Sequence, residues 1–192
     1  MAVANEFFKE NVSGRVRVES MSSSDIIKWR KPPNLPVKIN FDGSIINSVA
    51  TGGFMIRNEL GNPLIVGALN LGQNTINVVE PLALREAICW ATSKNLSHII
   101  IESDSKLIID YVQGKCEMPW NLRSILEDVK WCVGGFQEVK WCHIFREANF
   151  MDDALASVGI KFANLCISDA CIPFEAKPTL LFDTLGTGCT RG

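Results

Sequence analysis

Residues 38–44 read KINFDGS. With Val37 in front, the segment alternates with period two and places Val37, Ile39 and Phe41 on one face, as a half-buried strand does. Such a strand is built for a core, yet it ends on the carboxylate of Asp42, followed by Gly43 and Ser44. An Asp-Gly pair is also a common hairpin turn. Its surroundings decide between the two readings.

Upstream, KWRKPPNLP (28–36) carries Pro32, Pro33 and Pro36, which predicts an extended approach rather than a helix. Residues 1–28 mix charge and serine without period and read as a flexible N-terminal segment. Downstream, GGFMIRN (52–58) and PLIVGALNL (63–71) are apolar runs joined by a turn at Gly61, Asn62 and Pro63. Three strands on short loops predict an antiparallel meander. The pattern then changes. From about Asn77 to Lys94, Val78, Leu82, Leu84, Ala87, Ile88 and Ala91 recur at helical spacing. SHIIIES (97–103) reads as a short buried strand. DSKLIIDYVQG (104–114) reads as a helix opened by Ser103 and Asp104, and PWNLRSILEDVKWCVGG (119–135) as another. FQEVKWCHI (136–144) alternates again, and EANFMDDALASVGIKFA (147–163) is expected to be the final helix. A βαβ half joined to a meander predicts an α/β domain over residues 29–162, a mixed sheet flanked by helices. Residues 163–192 lose their period and read as a C-terminal tail.

The chain has 192 residues, 47% of them hydrophobic and 21% charged, a globular profile rather than a disordered one. Its net charge of −2 and pI near 5.7 exclude nucleic-acid recognition through bulk positive charge. Any such contact requires a local patch or a metal. Seven cysteines are scattered without a C-x-x-C pair, which argues against zinc and for reduced thiols. No secretory pattern opens the chain, and no run approaches the ~20 apolar residues of a membrane span. The expectation is a soluble, intracellular monomer in nucleus or cytoplasm, without membrane contact.

Four acids stand at element ends. Asp42 closes the first strand, Glu80 lies in the first turn of the first helix, Asp104 follows the fourth strand, and Asp153 opens the last helix ten residues after His143. Strand ends and helix starts of an α/β domain converge on one rim. Carboxylates gathered there repel one another unless cations hold them, and hard oxygen ligands suit Mg²⁺ or Mn²⁺. Singly, each residue has a plainer reading. Asp42-Gly43 fits a turn, Asn77-x-x-Glu80 a capping box, and Asp104 beside two serines an N-cap. Asp153 beside Asp152 fits a solvated helix face, and His143 an edge histidine. The joint pattern favours a site.

KINFDGS, VVEPLALREAICWA, IIIESDSKLIIDYV and VKWCHIFREANFMDDALA resemble, in order and at matching spacing, the four blocks of type 1 ribonuclease H. They are most similar to the plant branch of reverse-transcriptase-like ribonuclease H domains, often retroelement remnants, and KWRKPP before the first block is similar to that branch too. The resemblance covers roughly residues 29–160. It implies a five-stranded mixed sheet, the first three strands antiparallel, with helices on both sides. It implies hydrolysis of the RNA strand of an RNA–DNA hybrid with two Mg²⁺ ions, for which Mn²⁺ can substitute. Carried over by position, the catalytic and metal-holding acids are Asp42, Glu80, Asp104 and Asp153, and the family's histidine on a mobile loop falls on His143. On that assignment Asp42 bridges both ions, Glu80 and Asp104 hold the first, and Asp153 holds the second. Glu80 also accepts from a 2′-hydroxyl, and His143 moves a proton or assists product release. Gly43 leaves room for a close backbone approach, with Ser44 beside the phosphates. Asn47, Gln73, Asn74 and Asn77 are loop amides facing nucleic acid, and Ser105, Lys106 and Arg146 complete the nucleic-acid contacts, with Arg85 and Lys140 as further phosphate partners.

The match departs from the family in four places. Pro81 follows Glu80, where in a first turn it costs little. Asp152 stands where a small apolar residue is usual and adds a charge beside Asp153. The segment HIFREAN is compact for a mobile histidine loop. No basic insertion separates YVQG from PWN, so weak, strongly salt-dependent binding is expected. A second reading follows: a domesticated, inactive domain that binds nucleic acid or a protein partner. The retained acid quartet argues against it.

Overall fold

The computed structural model describes residues 26–117 and 119–190. After a two-residue β1 (Ile26–Ile27), the alternating segment becomes β2 (Val37–Ile46), which turns back as β3 (Val49–Arg57) and again as β4 (Pro63–Asn70). Then come α1 (Ile76–Ser93), β5 (His98–Ser103), α2 (Lys106–Val112), α3 (Trp120–Val133), β6 (Glu138–His143) and α4 (Phe150–Gly159). The chain closes with β7 (Leu165–Asp169), α5 (Lys177–Thr184) and β8 (Cys189–Thr190). The main sheet runs β6-β5-β2-β3-β4-β7, while β1 and β8 form a separate ribbon. β2, β3, β4 and β7 pair antiparallel, and β2-β5 and β5-β6 pair parallel. The expected meander and mixed sheet are present, with a sixth strand added at the β4 edge.

Alternation along β2 and β3 sends residues to two cores. Ile39, Phe41, Phe54 and Ile56 face α1, meeting Leu84 and Ile88, with Leu126 and Val129 of α3 in the same cluster. Met55 and Val66 face the opposite side, against Met151 and Leu155 of α4 and Ile172 and Ala176 near α5. α4 lies tight on the sheet because β3 is bare at Gly53. A Cβ there would stand 2.3 Å from the Ala156 backbone nitrogen and 2.6 Å from the Asp152 carbonyl oxygen.

Several expectations change. Asp42 does not close its strand: β2 continues to Ile46, because β3 pairs with it throughout while β5 pairs only as far as Asn40. The turn lies instead at Asn47 and Ser48, both with positive φ (50° and 64°) in a two-residue hairpin, so Asn47 is a turn residue. α1 starts at Ile76 after Thr75, which puts Asn77 inside the helix and removes the capping box. Pro81 lies in the second turn, where it deletes the donor that would meet the Asn77 carbonyl. Asp104 is not the cap of α2, since Ser105 occupies that position. α4 is not the last helix, and the region read as a tail carries β7, α5 and β8. Of the N-terminal segment, Ile26 and Ile27 form β1 and residues 1–25 lie outside the described residues. No disulfide joins the seven cysteines, and among the described residues no helix is long and apolar enough to cross a membrane.

Candidate active site

The parallel ladder between β2 and β5 ends at the pair Asn40 and Glu102. Two residues further along each chain stand Asp42 and Asp104, where the strands part and a cleft opens. Beyond β5, the Ser103 hydroxyl accepts from the Ser105 backbone N–H at 3.0 Å and turns the chain into α2. α1 delivers Glu80 across β2 because Gly43 has no side chain. A Cβ there would stand 3.0 Å from Val79 Cγ1 and 3.1 Å from Glu80 Cγ. The bare position thus serves the approach of α1, and it also lines the cleft. α4, seated over Gly53 opposite Asp42, delivers Asp153. Asp42, Glu80, Asp104 and Asp153 share one cleft of about 350 Å³ with Gly43, Ser44, Ile45, Ile76 and Arg146.

The cleft cannot carry its full negative charge unaided. Burial pushes Asp42 up to about 8, with Asp104, Asp153 and Asp152 adding repulsion, against the Gly43 N–H that donates to its Oδ1 at 2.8 Å. Burial and Asp104 raise Glu80, and a hydrogen bond with Ser105 opposes them. Burial raises Asp104 as well, opposed by Arg146 and Asn149. Arg146 is the cation of the cleft, its Nη2 3.9 Å from Asp153 Oδ1. These hard oxygen donors and their surplus charge fit a divalent cation. Among the described residues no three acids, histidines or cysteines are yet closed around one point, so ligation would draw the carboxylates inward.

His143 stands apart from the quartet. It ends β6, its Nε2 lies 3.2 Å from the Asp104 carbonyl oxygen, and its ring meets Phe145 edge-on. It lines a neighbouring cleft of about 310 Å³ with Lys28, Trp29 and Arg30. The cationic place among the acids belongs to Arg146. Of the other sequence candidates, Ser44 lines the carboxylate cleft and Ser105 touches Glu80. Lys106 is exposed and paired with Asp110, Asn74 bonds the Leu71 carbonyl, and Asn77 is a helix residue. One residue went unnoticed. Asn149 is buried and donates through Nδ2 to the Phe41 carbonyl at 3.1 Å and to Asp104 Oδ1 at 3.3 Å, tying β2 to Asp104. Its place one helical turn before Asp153, at the start of α4, was the available signal.

The sequence profile of a family described as reverse transcriptase-like matches residues 40–159, which includes all four acids and Arg146. The chain belongs to this family. A protein of Arabidopsis thaliana named a putative ribonuclease H protein is 27% identical over 176 residues, 89% of this chain, and the chain spans 27% of the length of that relative. Ribonuclease H1 from Halobacterium salinarum superposes on the reverse transcriptase-like domain with a TM-score of 0.62 at 25% identity, covering 66% of this chain and 98% of the other. LC11 ribonuclease H1 from compost, solved in complex with an RNA/DNA hybrid, gives 0.61 at 25% identity, covering 65% and 96%. The fold is that of ribonuclease H. The strand β7, helix α5 and ribbon β1-β8 lie outside the matched residues.

Proposed function

We propose that this domain hydrolyses the RNA strand of RNA–DNA hybrids, using divalent cations held by Asp42, Glu80, Asp104 and Asp153. The observation that carries the reading is the cleft itself: four acids from four separate elements, charged beyond what burial tolerates, with Arg146 the cation beside them. Likeness to ribonucleases H1, one of them solved on a hybrid, supports the choice of substrate.

Bound Mg²⁺ would supply a water nucleophile at neutral pH and stabilise the leaving oxygen of an in-line displacement. The chain supplies the rest. Asp42 is the most buried of the four, is repelled by Asp104 and Asp153, and would release its proton to hold a cation. Ser105 and Asn149 fix the directions of Glu80 and Asp104. Arg146, exposed at the rim, meets a phosphate oxygen and takes a place beside the acids that the resemblance gave to His143. Preference for RNA rests on 2′-hydroxyl contacts along a shallow minor groove, with Glu80 the nearest acceptor.

The test is cleavage of an end-labelled hybrid with Mg²⁺ or Mn²⁺, beside Asp42→Asn. The expected result is cutting of the RNA strand alone, lost in the variant and on chelation. A folded protein that binds hybrid but cuts in neither metal would transfer the reading to an inactive binding module.

A further inference from the structure

Below the cleft, on the face of the sheet covered by α4 and α5, lies a chain of buried polar contacts. Asp183 of α5 accepts from Arg57 Nη1 at 2.7 Å, and the Arg57 guanidinium stacks 3.5 Å from the centre of the Trp29 ring. Arg57 Nη2 and Trp29 Nε1 both donate to Asn40 Oδ1, each at 3.1 Å. Asn40 Nδ2 donates to Glu102 Oε2 at 3.2 Å. The other oxygen of Glu102 meets Lys38 Nζ at 2.8 Å, which in turn donates to the Arg30 carbonyl. Arg57 and Asn40 are fully buried.

We infer that Arg57 and Asp183 are positioning residues for the carboxylate cleft, acting through Asn40 and Glu102. The inference rests on the nuclease reading above. Asn40 and Glu102 are the last rung of the β2-β5 ladder, and their side-chain bond ties the two strands just before Asp42 and Asp104 leave it. Arg57 donates to the Asn40 amide oxygen and so holds the donor residue of that tie, and the spacing of the two acids depends on where the guanidinium sits. Asp183 sets that place. On the same face, Asp152 in the first turn of α4 is buried with neither carboxylate oxygen bonded, and it feels the Arg57 charge. Without Asp183, Arg57 turns to Asp152, drawing away both the Asn40 contact and the helix turn that carries Asp153. Trp29 and Asp183 lie outside the matched family region, so this control is an addition to the core fold.

A plain structural role predicts something different, which Arg57→Met/Asp183→Leu separates. Replacing both members of a buried pair by apolar groups leaves no orphaned charge and keeps stability near its starting value. The measurements are thermal unfolding, kcat and KM on the hybrid, and Mn²⁺ affinity by calorimetry without nucleic acid. Expected are an unfolding midpoint within about 4 °C of the parent, kcat down about tenfold with KM nearly unchanged, and weaker Mn²⁺ binding. Parental kcat and Mn²⁺ affinity in the folded double variant would overturn the inference. If that variant does not fold, Asp183→Asn, which keeps the side-chain size, decides by the same readings. A parent that binds Mn²⁺ through Asp42 yet does not cut removes the nuclease reading alone, and the variants' Mn²⁺ affinities still decide the positioning role. A parent that neither cuts nor binds Mn²⁺ overturns both.

Discussion

Two polar clusters sit two residues apart along the same pair of strands, and they are managed in opposite ways. At Asn40 and Glu102 the charges are paired, Arg57 with Asp183 and Lys38 with Glu102, and only the neighbouring Asp152 has no partner of its own among the described residues. At Asp42 and Asp104 acids outnumber cations, and Arg146 stands at nearly ion-pair limit from one of them. A buried charge is tolerable when paired and hydrogen-bonded. A cluster that buries more carboxylates than cations holds electrostatic strain that a ligand relieves. The contrast supports our reading of the second cluster as the site and of the first as its support.

The largest effect expected is on catalysis. Asp42→Asn lowers kcat on the hybrid by about a thousandfold or more, which is about 4 kcal/mol of transition-state stabilisation, read in single-turnover cleavage. The comparison is then sharpened by stability, because removing an acid acts in opposite directions in the two clusters. Asp183→Ala breaks the buried pair with Arg57, which Asp152 replaces only in part, and costs about 3 kcal/mol in urea unfolding. Asp42→Asn stabilises the metal-free protein at pH 8 by about 2–4 kcal/mol. The sign follows from a folded-state pKa near 8 against an ordinary 3.8. The folded protein holds a proton that the unfolded chain has released, so metal-free stability falls as pH rises from about 4 to about 8. The variant loses Asp42's share of that slope while the raised Glu80, Asp104 and Asp152 keep theirs, and at pH 5 its advantage shrinks. Equal slopes for parent and variant would break the comparison. Smallest is Arg146→Gln, expected to lower kcat/KM about tenfold and to flatten the salt dependence of binding by about one phosphate contact.

Much of this was legible in the residues. The alternation of Val37, Ile39 and Phe41 and the helical spacing of Leu84, Ala87, Ile88 and Ala91 report a core face directly, and those faces are where they were expected. The four acids were legible as a set because repulsion makes such a gathering improbable without function. Asp42 as the end of a strand was not, since that depends on how far β5 reaches, a tertiary matter. Nor was the order after residue 163. NLCISDA and EAKPTLLF are too short to show a period, and they form β7 and part of α5 only because the β4 edge and the α4 surface wait for them. The directions of the His143 and Arg146 side chains were not legible either. His143 is engaged with the Asp104 carbonyl, while Arg146 begins the short 3₁₀ turn that faces the acids.

β1 pairs with β8 through Ile26 with Thr190 and Ile27 with Cys189. Chain flanking the domain therefore arrives and departs side by side, and tension applied to both flanks loads this ribbon as a zipper, rung by rung, instead of in shear. Behind it, Trp29 follows Ile27 closely and Asp183 shortly precedes Cys189. The ribbon opens from the end that leads, through Trp29 and Asp183, to the residues bonded to Asn40.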